Sequence, residues 1–484
     1  MKEHSFITLN NTVKIQDNYI CYFRRGEDGT PKAYEGESFI QLTSNALLLN
    51  IINSIQNNEL LTLNELCDSI LSYNKNISYL DAISYINKLL DIQILELSFN
   101  IADQEKDFLE VFIHKLGNID TKIAKRFLFY ITKLQIIQSK FGASDVNSRS
   151  RYIVKINKII NKLMEVLDKN NELNILNSKI PLYEDVKLCY NDISLKKSHF
   201  NTTLKNFEYI NKLSALFDDS LLHKLIFTKL FIQKYGVGRR CDNLLEFYDY
   251  YSTEQNKIKN GAVEEFLTEE SLEILETTKK LQEYLFKILS NLIDNSSLCN
   301  SVTLDGTVIN DLIGKYPSTI SQNESSSYYC QLLYQAKKFS NEAPDIVLDK
   351  IGTGYGKYFS RFCFMFNNER FSSTELIKSI RSGLSEYDKI YADLLAVLGI
   401  NVNVHPSIFE YELIYPGCKS ALGLEKQIYL NDIAVIHEQY SNKIILWSKK
   451  HNKELVLIPL GFLFPRLAPP LYNFLCYFSQ ASWI

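Results

Sequence analysis

Three arginines are the side chains with the clearest capacity to bind an anionic group. Arg239 and Arg240 form a paired cation in the stretch VGRRCDNLLEFYDYY. Charge-assisted hydrogen bonds from such a pair can hold a phosphate, but the acidic residues nearby favour surface ion pairs instead. Arg361 lies between bulky aromatic residues, in a run over 359–364 that alternates like a strand. An arginine in such surroundings is usually anchored to a carboxylate or a carbonyl.

A glycine-rich loop and a histidine suggest two further kinds of site, and the surrounding sequence supports neither. Gly352, Gly354 and Gly356 follow a strand candidate at 345–348. The third glycine comes too early for a dinucleotide fingerprint and no βαβ unit follows, so we expect a turn. His405 precedes a proline and has no nucleophile or carboxylate partner evident in the sequence, so we expect a structural histidine.

The composition is that of a folded globular protein. The 484 residues are 46% hydrophobic and 23% charged, and the net charge is -3. This charge gives no global attraction to nucleic acid, so RNA binding would need a local patch. The nine cysteines contain no Cys-x-x-Cys pair and the seven histidines show no ligand spacing, so we expect free thiols and no metal. No apolar run fits a secretion signal or a membrane span, which indicates the cytoplasm.

The first hundred residues predict a small module of strands and helices. The predicted strands cover 12–15, 19–24, 38–42 and 92–99. Three helices are predicted: one at 43–55, one that opens with a capping box at 62–65, and one at 77–90. This order is typical of a winged helix-turn-helix, although a plain α+β packing module explains it equally well. The third helix has only Lys88 as a basic residue near its end, so DNA is not an expected partner.

Peptide capture is the better functional interpretation of this module. The exposed edge of its third strand can accept an extended peptide by strand addition, and its third helix can form the other wall of the groove. The predicted peptide-binding residues are Phe39, Ile40, Gln41, Leu42, Tyr79, Ile83 and Ile86.

The remaining chain predicts a helical part and then a mixed part. Between 101 and 300 the periodicity is helical, and Gly236 is placed to end one helix. One stretch there contains five basic residues that are expected to form a solvated helix face, with a binding surface as the alternative: Lys122, Lys125, Arg126, Lys133 and Lys140. Between 301 and 484 we expect mixed α/β structure with an antiparallel meander of strands at 409–415, 427–430, 433–437, 443–448 and 454–458. The predicted fold is therefore α+β, with three parts at 1–100, 101–300 and 301–484.

Four stretches between residues 230 and 478 resemble one enzyme family when they are taken in order. They are LFIQKYGVGRRCDNLLEFYDYY, GKYFSRFCFMF, INVNVHPSIFEYELIYPG and IYLNDIAVIHEQYSNKIILWSKKHNKELVLIPLGFLFPRLAPPLYNFLCYF. Their order and spacing are similar to those of the tRNA-dependent glutamylation region of class I lanthipeptide (lantibiotic) dehydratases. The N-terminal module is similar to the leader-peptide recognition element that these enzymes carry within the same region.

This resemblance implies a reaction and its partners. Family members take glutamate from glutamyl-tRNA and esterify Ser and Thr side chains of a ribosomally made precursor peptide, and a separate domain then eliminates the glutamate. The resemblance therefore implies lanthipeptide biosynthesis, a precursor peptide as partner, aminoacyl-tRNA as cosubstrate and no other cofactor. In an active enzyme Arg361 is our catalytic candidate and Arg239 and Arg240 are our tRNA-binding candidates, although the resemblance matches none of them to a known catalytic residue.

The sequence also departs from the family. The Arg-Thr-Pro-Phe-Gly type motif that precedes the recognition element is missing, and no elimination domain follows Ile484. We therefore expect the chain to act with a missing dehydratase portion or a cyclase subunit. Two alternatives stay open, namely a component similar to peptide aminoacyl-tRNA ligases and an inactive structural or peptide-binding remnant. A homodimer and a peripheral position at the inner membrane surface, through a synthetase complex, are compatible with each of these.

Overall fold

The computed structural model describes residues 5–25, 37–58, 60–167, 182–187, 195–260, 263–295, 302–317, 324–333, 344–366, 372–384, 386–397, 401–462 and 468–479. These residues form a mixed α+β protein, as the sequence predicts. In these ranges, no helix combines the length and the apolar character that crossing a bilayer requires.

The N-terminal region combines small antiparallel sheets with three helices. Its strands are β1 (Phe6–Leu9), β2 (Lys14–Gln16), β3 (Tyr19–Arg24), β4 (Ser38–Thr43), β5 (Leu61–Thr62) and β6 (Leu95–Ser98), and its helices are α1 (Ala46–Asn57), α2 (Leu63–Tyr73) and α3 (Tyr79–Asp91). One sheet has the strand order β5-β1-β6 and the other β2-β3-β4. The predicted strands and helices are found close to their expected positions, and β1 and β5 are additional to them.

Local polar signals determine where these helices begin. In the predicted capping box, the Thr62 N–H donates to Glu65 Oε2 at 2.8 Å and the Glu65 N–H donates to the Thr62 hydroxyl at 3.3 Å. This reciprocal pair satisfies two backbone donors at the start of α2. Helix α1 begins later than predicted because the Asn45 side chain is its cap, accepting from the Leu48 N–H at 2.8 Å.

The middle of the chain is helical, as predicted. Its helices are α4 (Phe108–Gly117), α5 (Lys122–Phe141), α6 (Val146–Leu167), α7 (Asn201–Ser214), α8 (Leu221–Tyr235), α9 (Leu244–Asn260), α10 (Glu269–Asn295) and α11 (Gly306–Ile313). Gly236 ends α8 with a φ of 99°, a backbone conformation that side chains disfavour. The short strand β7 (Arg240–Cys241) follows and pairs antiparallel with a strand near the C-terminus.

The described part of the C-terminal region contains a hairpin, a larger sheet and three helices. Its elements are β8 (Ser326–Leu333), β9 (Asp345–Thr353), α12 (Lys357–Ser360), α13 (Ser373–Gly383), β10 (Lys389–Leu395), β11 (Tyr411–Ile414), β12 (Gln427–Ile428), β13 (Ile433–Glu438), β14 (Lys443–Ser448), β15 (Lys453–Ile458) and α14 (Pro470–Cys476). Strands β8 and β9 pair with each other. Over the described ranges the larger sheet has seven strands in the order β12-β11-β10-β15-β14-β13-β7.

The predicted antiparallel meander is only partly right. Strands β13, β14 and β15 do form one, and the turns between them contain Asn442 and Asn452, each with a φ of 52°. Strands β10, β11 and β12 instead run parallel to one another, and β10 also pairs parallel with β15. A strand that returns in parallel needs a long connection, which a series of short turns in the sequence does not reveal.

The predicted strand at 359–364 is wrong, because the segment begins in α12 and continues into a short 3-10 turn at Cys363–Met365. Here bulky aromatic residues pack around a tight turn instead of alternating across a sheet. The expectation of a glycine turn before it is confirmed, since Gly356 has a φ of 84°. At Gly354, any Cβ would collide with Ser325, so this position also requires glycine.

Two hydrophobic cores meet at the small β2-β3-β4 sheet. The N-terminal core includes Ile20 and Tyr22 of β3, and the large C-terminal core includes Phe23 of the same strand. The large core lies between one face of the seven-stranded sheet and helices α8, α9 and α14. Because successive strand residues point to opposite faces, the small sheet is covered on both sides.

Candidate functional site

Strand β4 carries four of the seven predicted peptide-binding residues and is an edge strand. It pairs with β3 on one side, and in the described residues no strand pairs with its other side. The Ser44 N–H donates to the Asn18 carbonyl at 2.7 Å. Since every second residue of an antiparallel strand bonds to its partner strand, this bond shows which residues of β4 bond to β3. Leu42 and Ile40 therefore bond to β3, whereas Phe39, Gln41 and Thr43 direct their backbone N–H and C=O groups towards the open edge.

The side chains of β4 belong to different environments. Ile40 and Leu42 are partly buried against the N-terminal core, and Phe39 is partly buried against the large core. Gln41 is exposed. What β4 offers to a peptide is thus its backbone edge.

Helix α3 supplies the other predicted wall, and its three candidate residues differ in accessibility. Tyr79 is 43% exposed, and its hydroxyl donates to Asn64 Oδ1 at 3.0 Å. Ile83 is partly buried against the N-terminal core. Ile86 is fully buried there, so its placement on a peptide-contacting surface is not supported by this structure. Ile86 lies three residues after Ile83, a spacing that suits the core face of the helix. Sequence periodicity alone cannot distinguish a residue that lines a peptide groove from one that packs in the core.

Glu37, which immediately precedes β4, joins the N-terminal region to the large core. The Tyr415 hydroxyl donates to Glu37 Oε1 at 2.7 Å, and the Leu471 N–H, at the start of α14, donates to Oε2 at 3.1 Å. Burial raises the pKa of Glu37 to about 7, against the lowering effect of these bonds and of one from Tyr248. Sequence analysis missed this residue because its partners lie hundreds of positions away.

Further polar contacts hold the same junction. The Asn431 side chain donates to the Val13 carbonyl at 3.1 Å. The Asp103 N–H donates to the Lys419 carbonyl at 2.9 Å, and the Lys419 N–H donates to Asp103 Oδ2 at 2.6 Å. The open edge of β4 is therefore held in a fixed position relative to the C-terminal sheet.

Arg361 is anchored, as an arginine among aromatic residues usually is. Its guanidinium forms an ion pair with Asp185 and donates to the Tyr183 hydroxyl at 3.0 Å. It also lies over the rings of Tyr183, Phe362 and Phe462, and its side chain is only 10% exposed. Direct contact with a substrate would require Asp185 to release the guanidinium.

Arg239 and Arg240 are exposed, and Arg240 is the first residue of the edge strand β7. Arg240 Nε lies 2.6 Å from Asp242 Oδ1, so this residue forms the surface ion pair that its acidic surroundings indicate. The turn before β7 is held by His437, whose Nδ1 accepts from the Gly238 N–H at 3.0 Å. No contact within the described ranges joins either arginine to Arg361.

His405 has a carboxylate partner, which corrects the expectation from sequence. Its Nε2 lies 3.3 Å from Asp393 Oδ2, and both side chains are buried. Burial, reinforced by the Glu412 carboxylate, raises the pKa of Asp393 to about 6 against the opposing effects of His405 and Lys357. Lys357 is buried as well, donates to the Pro459 carbonyl at 3.0 Å, and has a pKa that burial lowers to about 8.

The neighbours of Asp393 explain how such a cluster is formed. Asp393 and Glu412 are register partners on the parallel strands β10 and β11. Glu412 accepts from the Ser407 hydroxyl at 2.5 Å and from the Ser420 hydroxyl. Because Lys357, Asp393, His405 and Glu412 are buried, the arrangement fits a structural network rather than an accessible active site. Among the described residues, no group of three or more His, Cys, Asp and Glu is placed to hold a metal ion.

Comparisons with known proteins identify the family and the fold. A family model described as the N terminus of lantibiotic dehydratase matches residues 4–482. No curated protein matches the chain. The glutamylation domain TbtB from thiomuracin biosynthesis aligns with a TM-score of 0.70 at 14% identity, covering 99% of this chain and 55% of that one. The same domain bound to 5'-phosphodesmethylglutamycin gives 0.67 at 13% identity, covering 99% and 56%.

A full dehydratase shows the same fold. The tRNA-dependent lantibiotic dehydratase MibB from Microbispora sp. 107891 aligns with a TM-score of 0.66 at 11% identity, covering 100% of this chain and 45% of that one. This chain therefore spans about half the length of the structures it matches.

Proposed function

Because the chain belongs to the lantibiotic dehydratase N-terminal family, we propose that it binds the leader of a ribosomally made precursor peptide and contributes to glutamylation of that peptide. The donor in this proposal is glutamyl-tRNA, and the acceptors are Ser and Thr side chains. The relatives are about twice as long, so the proposed reaction also needs the part of the enzyme that this chain does not span. This part would belong to a partner or to the same protein.

The observation that carries the proposal is the open edge of β4. Phe39, Gln41 and Thr43 present their backbone groups there, and α3 of the same N-terminal region carries the exposed Tyr79. An extended peptide that adds to such an edge gains main-chain hydrogen bonds, while pockets between strand and helix select its side chains. The order of β2, β3 and β4 followed by α1, α2 and α3 supports a winged helix-turn-helix-like recognition module, which we propose as the role of residues 1–100.

The register of β4 determines which substitution tests peptide addition. The Ile40 N–H bonds to β3, so proline at Ile40 would disrupt the native sheet. Gln41→Pro instead removes a donor at the open edge, where proline is tolerated, and we expect it to weaken leader binding about fivefold, the value of one hydrogen bond of about 1 kcal/mol. Gln41→Ala is the matched control, because it shortens the same side chain and keeps the N–H.

Isothermal titration calorimetry with the leader of the precursor encoded beside this protein provides the measurement. The proposal expects binding by the full chain, weaker binding by Gln41→Pro and nearly unchanged binding by Gln41→Ala. Equal affinities for the two variants would exclude the β4 edge, and no binding to the unmodified chain would exclude leader recognition.

A further inference from the structure

Helices α5 and α6 concentrate positive charge that the net charge of the chain conceals. Together they contain ten Lys and Arg residues and a single acidic residue, Glu165. The whole protein has a net charge of -3. The two helices follow each other and pack together, so this charge is local to one part of the molecule.

The basic residues of α5 lie on its solvent face. Lys122, Arg126, Lys133 and Lys140 are all exposed and are separated by intervals that return to the same side of a helix. The opposite side of α5 packs into the hydrophobic core that it shares with α4 and α6. On α6 a second row is also exposed and follows the same helical spacing: Arg151, Lys155, Lys158 and Lys162.

Few of these charges are neutralised by acidic side chains. Lys125 forms an ion pair with Asp120, Arg149 with Glu184, and Lys162 with Glu165. Within the described residues, the other seven basic residues of α5 and α6 form no ion pair. A surface whose cations lack carboxylate partners has a strong positive potential and attracts polyanions.

Apolar side chains are interleaved with the cations of α5. Phe129 lies between Arg126 and Lys133, is 53% exposed, and has Lys133 Nζ 3.9 Å from its ring centroid. Ile136 lies between Lys133 and Lys140 and is 48% exposed. Aromatic rings among cations are typical of surfaces that contact both the phosphates and the bases of a nucleic acid.

We infer that the exposed faces of α5 and α6 form an RNA-binding surface that contacts the phosphate backbone of the tRNA used in the proposed transfer. The row on α5 extends over about 27 Å at the helical rise of 1.5 Å per residue, which suits a series of phosphates along one strand. The identification of the RNA as tRNA rests on the proposed function, whereas the surface itself rests on charge, exposure and spacing.

An anionic membrane is the competing partner, and the arrangement of apolar residues disfavours it. A helix that lies in a membrane interface needs a continuous apolar face to insert. The apolar face of α5 is already buried in the core with Phe127 and Ile131, and its exposed apolar residues alternate with cations. Such a surface suits electrostatic contact with an extended phosphate chain.

The test compares RNA binding by the full chain and by charge variants. Fluorescently labelled, deacylated total tRNA is the probe, and its anisotropy is followed over a series of salt concentrations. The test variant is Arg126→Gln with Lys133→Gln and Lys140→Gln on α5. The matched control is Lys279→Gln with Lys280→Gln and Lys287→Gln, which removes the same charge from the exposed surface of α10.

We expect the α5 variant to bind tRNA at least tenfold more weakly and its salt slope to fall by about two to three, because each of the three lost phosphate contacts removes close to one counterion. The α10 control should match the unmodified chain, and both variants should keep their affinity for the leader peptide. The leader measurement separates this inference from the proposed function, since absence of leader binding by the unmodified chain would count against the proposed function only.

Three results would overturn the inference. The first is an α5 variant with unchanged affinity and salt slope. The second is loss of tRNA binding in an Arg239→Gln, Arg240→Gln variant without loss in the α5 variant, which would move the surface to β7. The third is binding of the unmodified chain to phosphatidylglycerol vesicles but not to tRNA, which would assign the α5 and α6 surface to a membrane.

Discussion

Two buried carboxylates, one at the junction of the N-terminal region with the large core and one inside the C-terminal sheet, are stabilised in different ways. Glu37 is surrounded by uncharged donors: the Tyr415 hydroxyl, the Tyr248 hydroxyl and the Leu471 N–H. Asp393 is surrounded by ionisable groups, with His405 and Lys357 opposing the effects of burial and of Glu412. Burial raises the pKa of both, to about 7 and about 6.

These different surroundings give the two carboxylates different roles. Glu37 makes the junction sensitive to pH, whereas Asp393 belongs to a network that depends on the balance of its charges. Glu37 is best accommodated with its proton, because among the described residues no cation compensates its ionised form. Asp393 interacts electrostatically with His405 and with the buried Lys357, so its removal takes away a carboxylate that compensates the Lys357 ammonium. The junction is therefore expected to become gradually less stable as the pH rises. The sheet is expected to lose stability in one step when Asp393 is replaced.

The largest expected effect comes from removing the carboxylate of Asp393. Asp393→Asn keeps the shape of the side chain but removes a carboxylate that interacts with the buried Lys357 and His405, and we expect a loss of about 3 kcal/mol in the free energy of unfolding. Urea unfolding at neutral pH measures it. Asp388→Asn, at an exposed position just before β10, is the matched control and should be close to neutral. A loss below about 1 kcal/mol for Asp393→Asn would show that the cluster is held by packing alone.

The next effect concerns the pH dependence that Glu37 confers. Its folded pKa of about 7 lies above the ordinary 4.5, so the folded state binds the proton more tightly than the unfolded state does. The stability of the unmodified chain should therefore fall as pH rises from about 4.5 to 7, by no more than about 3 kcal/mol. Asp393 acts in the same direction between pH 3.8 and about 6, so above pH 6 the effect of Glu37 no longer overlaps with that of Asp393.

Glu37→Gln isolates this contribution, because the amide resembles the protonated carboxyl and does not titrate. The difference in unfolding free energy between the variant and the unmodified chain should grow from about pH 6 to about pH 8 in favour of the variant. Histidines common to both proteins cancel in this difference. A variant that is less stable at about pH 8 would show that the hydrogen bonds to the ionised carboxylate outweigh its desolvation.

Features set by neighbouring residues were predictable from the sequence. The capping box at Thr62 and Glu65, the stop at Gly236 and the turns at Asn442 and Asn452 each depend on a few consecutive residues, and all are present. Five strands of the C-terminal sheet, β11 to β15, lie close to their predicted positions for the same reason, whereas β7 and β10 were not predicted.

Features set by distant partners were not predictable. The parallel pairing of β10 with β15 and the addition of β7 beside β13 join segments that no local pattern relates. The ion pair of His405 with Asp393 depends on the same pairing. A signal for it was present, because Asp393 is a charged residue within the apolar strand sequence KIYADLL, and such a residue requires a buried partner. The wrong strand prediction at 359–364 shows that a local pattern can also mislead. Alternating aromatic residues without turn signals do not distinguish a strand from a tight helical turn.

The smallest expected effect is that of an exposed charge. Arg240 forms its ion pair with Asp242 at the surface, where both side chains are well solvated and the interaction is screened. Arg240→Gln should therefore change the free energy of unfolding by no more than about 0.5 kcal/mol, measured by the same urea titration as Asp393→Asn. A loss above about 1 kcal/mol would place Arg240 with the buried charges and make β7 dependent on the pair. With the expected small change, any loss of tRNA affinity in this variant reports a contact with RNA, because the fold that presents the arginine is intact.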